Sequence, residues 1–143
     1  MAKVLSVNIS EKKGEKKHNI TACRALTEQG LENDAHIGMA IRQISLLASE
    51  SIEKIRQKGL NVNYGDFAEN LTTQGIELYT LPLGTKIKVG YDVLLEVTQI
   101  GKMCLAPCAI YHAVGDCVMP KEGIFVRVLS EGMIAVGDEI TVV

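Results

Sequence analysis

The regular segments of this chain are short, and glycine punctuates them. Thirteen of the 143 residues are glycine, and most runs between them read as extended chain. Alternating apolar and polar residues put side chains on opposite faces, so each run needs neighbours against which to bury its apolar face. Val4 to Ile9 alternates in this way. Further strands are predicted over Asn19 to Leu26, Ile41 to Leu47, Gly123 to Leu129 and Asp138 to Val143, and Val93 to Ile100 is apolar enough for a buried strand. Gly90 and Tyr91 mark a tight turn before it, and Glu11 to Lys17 reads as an exposed hairpin loop around Gly14. Its four lysines have the charge to meet an anion, although a solvated loop is the ordinary reading.

One helix is predicted. Ser49 is a good N-cap, Glu50 and Glu53 suit the positive end of the helix dipole, and Ile52, Ile55 and Leu60 supply an apolar side. Glu50 and Lys54 form an i,i+4 pair, and Gly59 can end the helix in a left-handed conformation. A short echo between residues 83–89 and 136–142 reads as a recurring hairpin device rather than a true repeat. Many short strands with one helix predict a mainly β fold, a closed, twisted β-barrel with small helical additions. A chain of 143 residues and 15.5 kDa suits one domain over 1–143.

Charge and aromatic content exclude some functions. Lys plus Arg is 15 against 17 for Asp plus Glu, a net charge of −2, with no Trp, four Tyr and two Phe. Such a surface has neither the charge to draw nucleic acid nor the rings on which to stack bases. No apolar run approaches the ~18 residues that cross a bilayer, and the N-terminus enters an alternating pattern without a signal-peptide core. The expectation is a cytoplasmic protein without a membrane partner. Its four cysteines (Cys23, Cys104, Cys108, Cys117) then read as buried thiols, metal ligands or reactive groups rather than disulfides.

Four clusters carry chemistry. In the first, Gly30 to Gly38 followed by Arg42-Gln43, backbone amides, His36 and Arg42 can face an anion, or Asp34 can simply satisfy local amides. The second, Gly65 to Thr73, sets Glu69 and Asn70 between apolar neighbours; Asn70 can read a heterocycle, or both can fasten a loop. The third runs from Gly101 to Cys108. A thiol there, beside Lys102 and at the end of a strand, is placed to ionise, and a thiolate is both nucleophile and soft metal ligand. The Cys-x3-Cys spacing of Cys104 and Cys108 departs from a zinc knuckle, and a plain buried thiol remains open for each. Cys23, inside an alternating strand, reads as core. In the fourth, Met119 to Leu129, Arg127 interrupts an apolar strand and must pair with an acid of the protein or bind a ligand anion.

Taken in order, these segments resemble the MOSC family, named for the C-terminal domain of molybdenum-cofactor sulfurases. The matching pieces are residues 30–36, 42–47, 65–73, 97–104 and 123–129, with 137–140, and the likeness is greatest to the small, stand-alone bacterial members. The resemblance implies a barrel-like β fold and a cysteine that binds molybdenum cofactor (molybdopterin) or carries sulfur for it. Cys104 corresponds best to that cysteine, with Cys108 the competing assignment. His36, Arg42, Asn70, Lys102 and Arg127 become candidates for a cofactor-binding groove, and no pyridoxal phosphate is expected. Asn33 stands where the family has glycine, and Asn tolerates the left-handed backbone such a turn needs. Leu105 replaces a histidine common in relatives, which removes a base beside the thiol.

The resemblance thus implies a domain acting in cofactor maturation, transfer or use, with sulfur donor or acceptor proteins as partners. A molybdenum-dependent reductase of N-hydroxylated compounds is the alternative. It would need a separate electron-transfer partner, because the chain carries no flavin or iron–sulfur motif. A non-catalytic adaptor for a cofactor-biosynthesis enzyme is the third reading.

Overall fold

In the computed structural model, residues 2–12, 15–101 and 119–143 are described, the side chains of Met119 and Pro120 excepted. The turn expected at Gly14, and Lys102, Cys104, Cys108 and Cys117, lie outside them. Strands are β1 (Ala2–Ile9), β2 (His18–Ile20), β3 (Ala22–Leu26), β4 (Gly30–Leu31), β5 (Ile44–Ala48), β6 (Leu71–Gln74), β7 (Lys86–Val89), β8 (Val93–Ile100), β9 (Ile124–Ser130), β10 (Gly132–Ala135) and β11 (Glu139–Val142). Helices are α1 (Ser49–Arg56) and α2 (Met119–Glu122), with a 3-10 turn at Leu78–Thr80.

The large sheet runs β11-β7-β8-β9-β5-β6-β1-β2 and closes where β1 pairs with β11, so seven strands form a barrel and β2 extends it on one side. Neighbours are antiparallel except β5 and β6, which are parallel with α1 in their connection. A second sheet, β10-β3-β4, lies beside the barrel. The mainly β, closed barrel expected from the sequence is the fold observed.

Alternation accounts for what each strand buries. Val4, Ile44, Leu46, Leu71, Ile87, Leu95 and Val126 belong to one cluster that fills the barrel. The next residues along β5 and β9, Leu47 and Phe125, point outward instead. They pack with Ile52 and Ile55 of α1 and with Val62 and Phe67 in a second, smaller core outside the barrel. Residues on both faces of β5 are thus sealed from water.

Several boundaries differ from those expected. The strand expected over Asn19 to Leu26 breaks at Thr21: β2 pairs with β1, while β3 turns away to pair with β10 and β4. β5 begins at Ile44 rather than Ile41, because Ile41 is outside the sheet and 52% exposed. Ser49 is the first helical residue and not the cap; the cap position is Ala48, with no side-chain hydrogen bond. The Glu50–Lys54 pair does not form, because Glu50 accepts from Gly75 N–H (2.9 Å) and Lys54 binds Glu122 (2.9 Å). Gly59 does adopt the left-handed conformation (φ +93°). The echoing segments 83–89 and 136–142 end in β7 and β11, which are antiparallel neighbours, each entered through a left-handed glycine (Gly84, Gly137).

Candidate functional site

β8 and β9 form a hairpin whose described ends meet where Gly101 N–H donates to Gly123 O (2.6 Å). Gly101 has φ +72° and turns the chain off the strand. The connection leaving here carries Lys102, Cys104, Cys108 and Cys117, all outside the described residues.

A set of polar side chains covers the outer face of this hairpin. Arg42 donates through Nε to Gln99 Oε1 (3.0 Å), and Gln99 Nε2 in turn donates to Gly101 O (2.9 Å). The Arg42 guanidinium lies over the Phe125 ring, 5.6 Å from its centroid, an arrangement in which the ring's negative face favours the cation. Thr98 Oγ1 holds the Arg42 neighbour through its one hydroxyl hydrogen, which Ile41 O and Phe125 O share. Two residues along β9, on the same face, Arg127 binds Glu96 (2.9 Å) and Glu28 (3.3 Å). The Arg127 charge is thus paired within the protein, as its place in an apolar strand requires. No carboxylate among the described residues pairs with Arg42.

His36 and Asn70 belong to a different, buried network around the end of β1. Asp34 accepts from Ser10 N–H (3.1 Å), Lys17 Nζ (2.8 Å) and His36 N–H (3.0 Å). Burial alone would push the Asp34 carboxyl up, but its contacts with His36 and Lys17 outweigh this and hold it well below the usual carboxylate range. Asn33 just before it takes the left-handed backbone (φ +67°), so the turn survives without glycine. Asn70 is fully buried; its Oδ1 accepts from Ser45 N–H (2.9 Å) and its Nδ2 donates to Asn8 O (3.1 Å). Glu69 accepts from Gly65 N–H, Phe67 N–H and Thr72 Oγ1. Burial raises its pKa, and these donors offset the shift only in part. Lys17 N–H donates to Gly65 O (2.9 Å), which joins the two motif loops into one network.

The structure therefore brings Arg42 and Arg127 together on one face and turns the side chain of Asn70 into the protein's own backbone. It also identifies residues that sequence reasoning missed. Lys17 is buried (3% exposed), so the run of solvated lysines expected over Glu11 to Lys17 ends one residue early. Asn8 and Ser10 are buried as well; the signal for Asn8 was a polar residue between Val7 and Ile9 in a strand, whereas Ser10, past the end of β1 and before Glu11, carried none. Cys23 lies in the core as expected. Burial raises its thiol pKa, followed by the charges of Glu32 and Asp34, which keeps it an unreactive thiol.

A cleft of about 530 Å³ lies elsewhere, between α1, Gly75 to Tyr79 and Glu122. Its charged groups are satisfied internally: Glu122 binds Ser51 and Lys54, and Glu50 binds Gly75. Among the described residues no helix is long and apolar enough to cross a membrane, and no three His, Cys, Asp or Glu side chains are placed to hold a metal ion.

This geometry has known counterparts. The YUAD protein of Bacillus subtilis superposes with a TM-score of 0.81 at 18% identity, over 98% of this chain and 94% of that one. YiiM from Geobacillus stearothermophilus gives 0.72 at 24% identity, over 100% of this chain and 75% of that one. YiiM from Escherichia coli gives 0.70 at 19%, over 100% and 70%. At such identities the likeness is one of fold. No curated protein sequence matches the chain. The family model of the MOSC domain matches residues 33–141, a span that takes in both arginines, His36, Asn70 and the cysteine-bearing connection. The chain belongs to the MOSC domain family, which is generally associated with molybdenum cofactor binding.

Proposed function

We propose that this domain binds molybdenum cofactor, or holds sulfur destined for it, through the thiolate of Cys104. The carrying observation is the Arg42–Gln99–Gly101 chain of hydrogen bonds, which fixes a guanidinium at the root of the cysteine-bearing connection. That guanidinium has no carboxylate partner among the described residues, and a phosphate-bearing ligand supplies the charge it lacks. Arg127, on the same face, is held by its own acids and adds less. The residues present thus fit the anionic tail of the cofactor.

Chain length favours Cys104 over Cys108. Three residues span at most ~11 Å and seven at most ~25 Å, so Cys104 is held within the shorter radius of Gly101, which favours it over Cys108. Lys102, two positions from Cys104, adds a cation that favours the thiolate. A thiolate also suits a soft metal bound to a dithiolene, which when bound supplies the redox-capable centre. Within this chain, Arg42 binds and orients the anion, Phe125 shields one face of the guanidinium, and Asn70 keeps the loop ends in register.

The test is metal and cyanide-releasable sulfur analysis of protein made with ample molybdate and purified without air. Stoichiometric molybdenum favours the cofactor reading, and releasable sulfur without metal favours the carrier. Cys104→Ala removes either signal while the protein stays folded, since one small thiol contributes only ~1–2 kcal/mol. Loss in Cys108→Ala with Cys104→Ala unaffected reverses the assignment, and neither signal in the wild type overturns the proposal.

A further inference from the structure

Lys17 is the only buried lysine or arginine among the described residues, and its surroundings determine the state of a neighbour. An ammonium has three N–H donors and no lone pair. Lys17 Nζ lies 2.9 Å from Ser10 Oγ, 2.8 Å from Asp34 Oδ1 and 3.3 Å from His36 Nδ1. The first two are acceptors that use two donors. The third donor meets the imidazole, and a proton on Nδ1 would set two donors against each other. Asp34 Oδ2, which accepts the His36 backbone N–H at 3.0 Å, is also 3.4 Å from Nδ1, but a proton on Nδ1 shared with it would still lie against the ammonium at 3.3 Å. Nδ1 is therefore the acceptor, and the single proton of the neutral ring falls on Nε2, across the ring. The His36 side chain is 9% exposed, against 0% for both Lys17 and Asp34, so the ring reaches the edge of a network whose charges are sealed.

We propose that Lys17 is a positioning residue: its ammonium fixes His36 as a neutral imidazole protonated on Nε2, which presents one oriented N–H donor to an anionic oxygen of the phosphate class. The tautomer stands on geometry alone, while the ligand rests on the cofactor reading above. A neutral donor of fixed direction can bind such an oxygen without bringing a second cation against Lys17.

Long-range 1H–15N spectra of the full chain test the tautomer, with His36 separated from His18 and His112 by the His36→Gln variant. The expected wild-type pattern is an unprotonated Nδ1 and a protonated Nε2. In Lys17→Met the protonated form shifts toward Nδ1, because Asp34 becomes its only neighbour. A wild-type ring protonated on Nδ1 overturns the proposal even where Lys17→Met does not fold, as does an unchanged tautomer in a folded Lys17→Met. Fluorescence titration with isolated molybdopterin tests the ligand. His36→Gln, whose amide N–H reaches the Nε2 position, stays within about threefold of wild type, and His36→Asn, which mimics Nδ1, weakens binding about tenfold. Equal effects of the two variants overturn the donor role. Wild-type protein that takes up no molybdopterin overturns the cofactor reading instead, and leaves the tautomer to the spectra.

Discussion

Asp34 shows how much one buried carboxylate decides at the scale of the residue. It faces Lys17, and both side chains are sealed from solvent. Removing one partner of such a pair leaves an uncompensated charge, so Asp34→Asn is expected to cost ~3–5 kcal/mol in urea unfolding. The sign of its pH dependence follows from a folded-state pKa held below the ordinary aspartate value of 3.8. The contribution is complete above that value and is lost as pH falls below it toward the folded pKa. A stability profile measured from pH 5 downward therefore steepens in the wild type and flattens in Asp34→Asn. Arg42 has the opposite character, a half-buried cation on an aromatic ring with no carboxylate partner among the described residues. Arg42→Gln is expected to lower molybdopterin affinity about tenfold with little change in melting temperature. An unchanged affinity removes the observation on which the proposed function stands.

Among the elements, the 65–70 turn and strand β9 are the most constrained. Ala68 sits at φ +63°, a conformation that costs a non-glycine residue ~1–2 kcal/mol. Glycine there is expected to stabilise by ~0.5–1 kcal/mol net of its greater unfolded-state freedom, read as a rise in the urea midpoint. Gly65 has no such latitude, because a Cβ would lie 2.3 Å from Lys17 O, and Gly65→Ala is expected to disrupt the junction of the two motif loops. Phe125 serves two structures at once, the outer core with Ile52 and Phe67 and the platform beneath Arg42. Phe125→Ala is expected to cost ~3–5 kcal/mol and to weaken ligand retention in protein that remains folded. Loss of stability with retention intact would show that Arg42 does not need the ring.

At the scale of the whole molecule, closure depends on a short seam. β1 and β11 meet over two residue pairs, Ala2 with Ile140 and Lys3 with Glu139, and the Val4–Asp138 and Gly137–Val4 backbone bonds extend it. Truncation before Glu139 unpairs β7 and β1 together and exposes two edges. The expected result is broadened, non-coincident unfolding by circular dichroism and fluorescence of the four tyrosines. A truncated chain that still unfolds in one sharp transition would show that the barrel does not need the seam.

Sequence periodicity was enough for β8, whose eight residues match the strand expected, and for the class of fold, because alternation and turn glycines are local properties. β4, β6 and β10 were not legible: they are two to four residues long and lack the alternating flanks that made the equally short β11 readable. The motif segments were legible too, but not the use of their side chains. Four lysines in a row of polar residues look alike until the chain folds, and only the return of Asp34 and His36 to the end of β1 selects Lys17 for burial. Arg42 and Arg127 are far apart in sequence and share a face only because β5 pairs with β9 and β9 with β8. Local chemistry along the chain determined the strands and turns, whereas long-range pairing decided which charges are neutralised within the protein, since desolvation depends on neighbours that folding alone supplies.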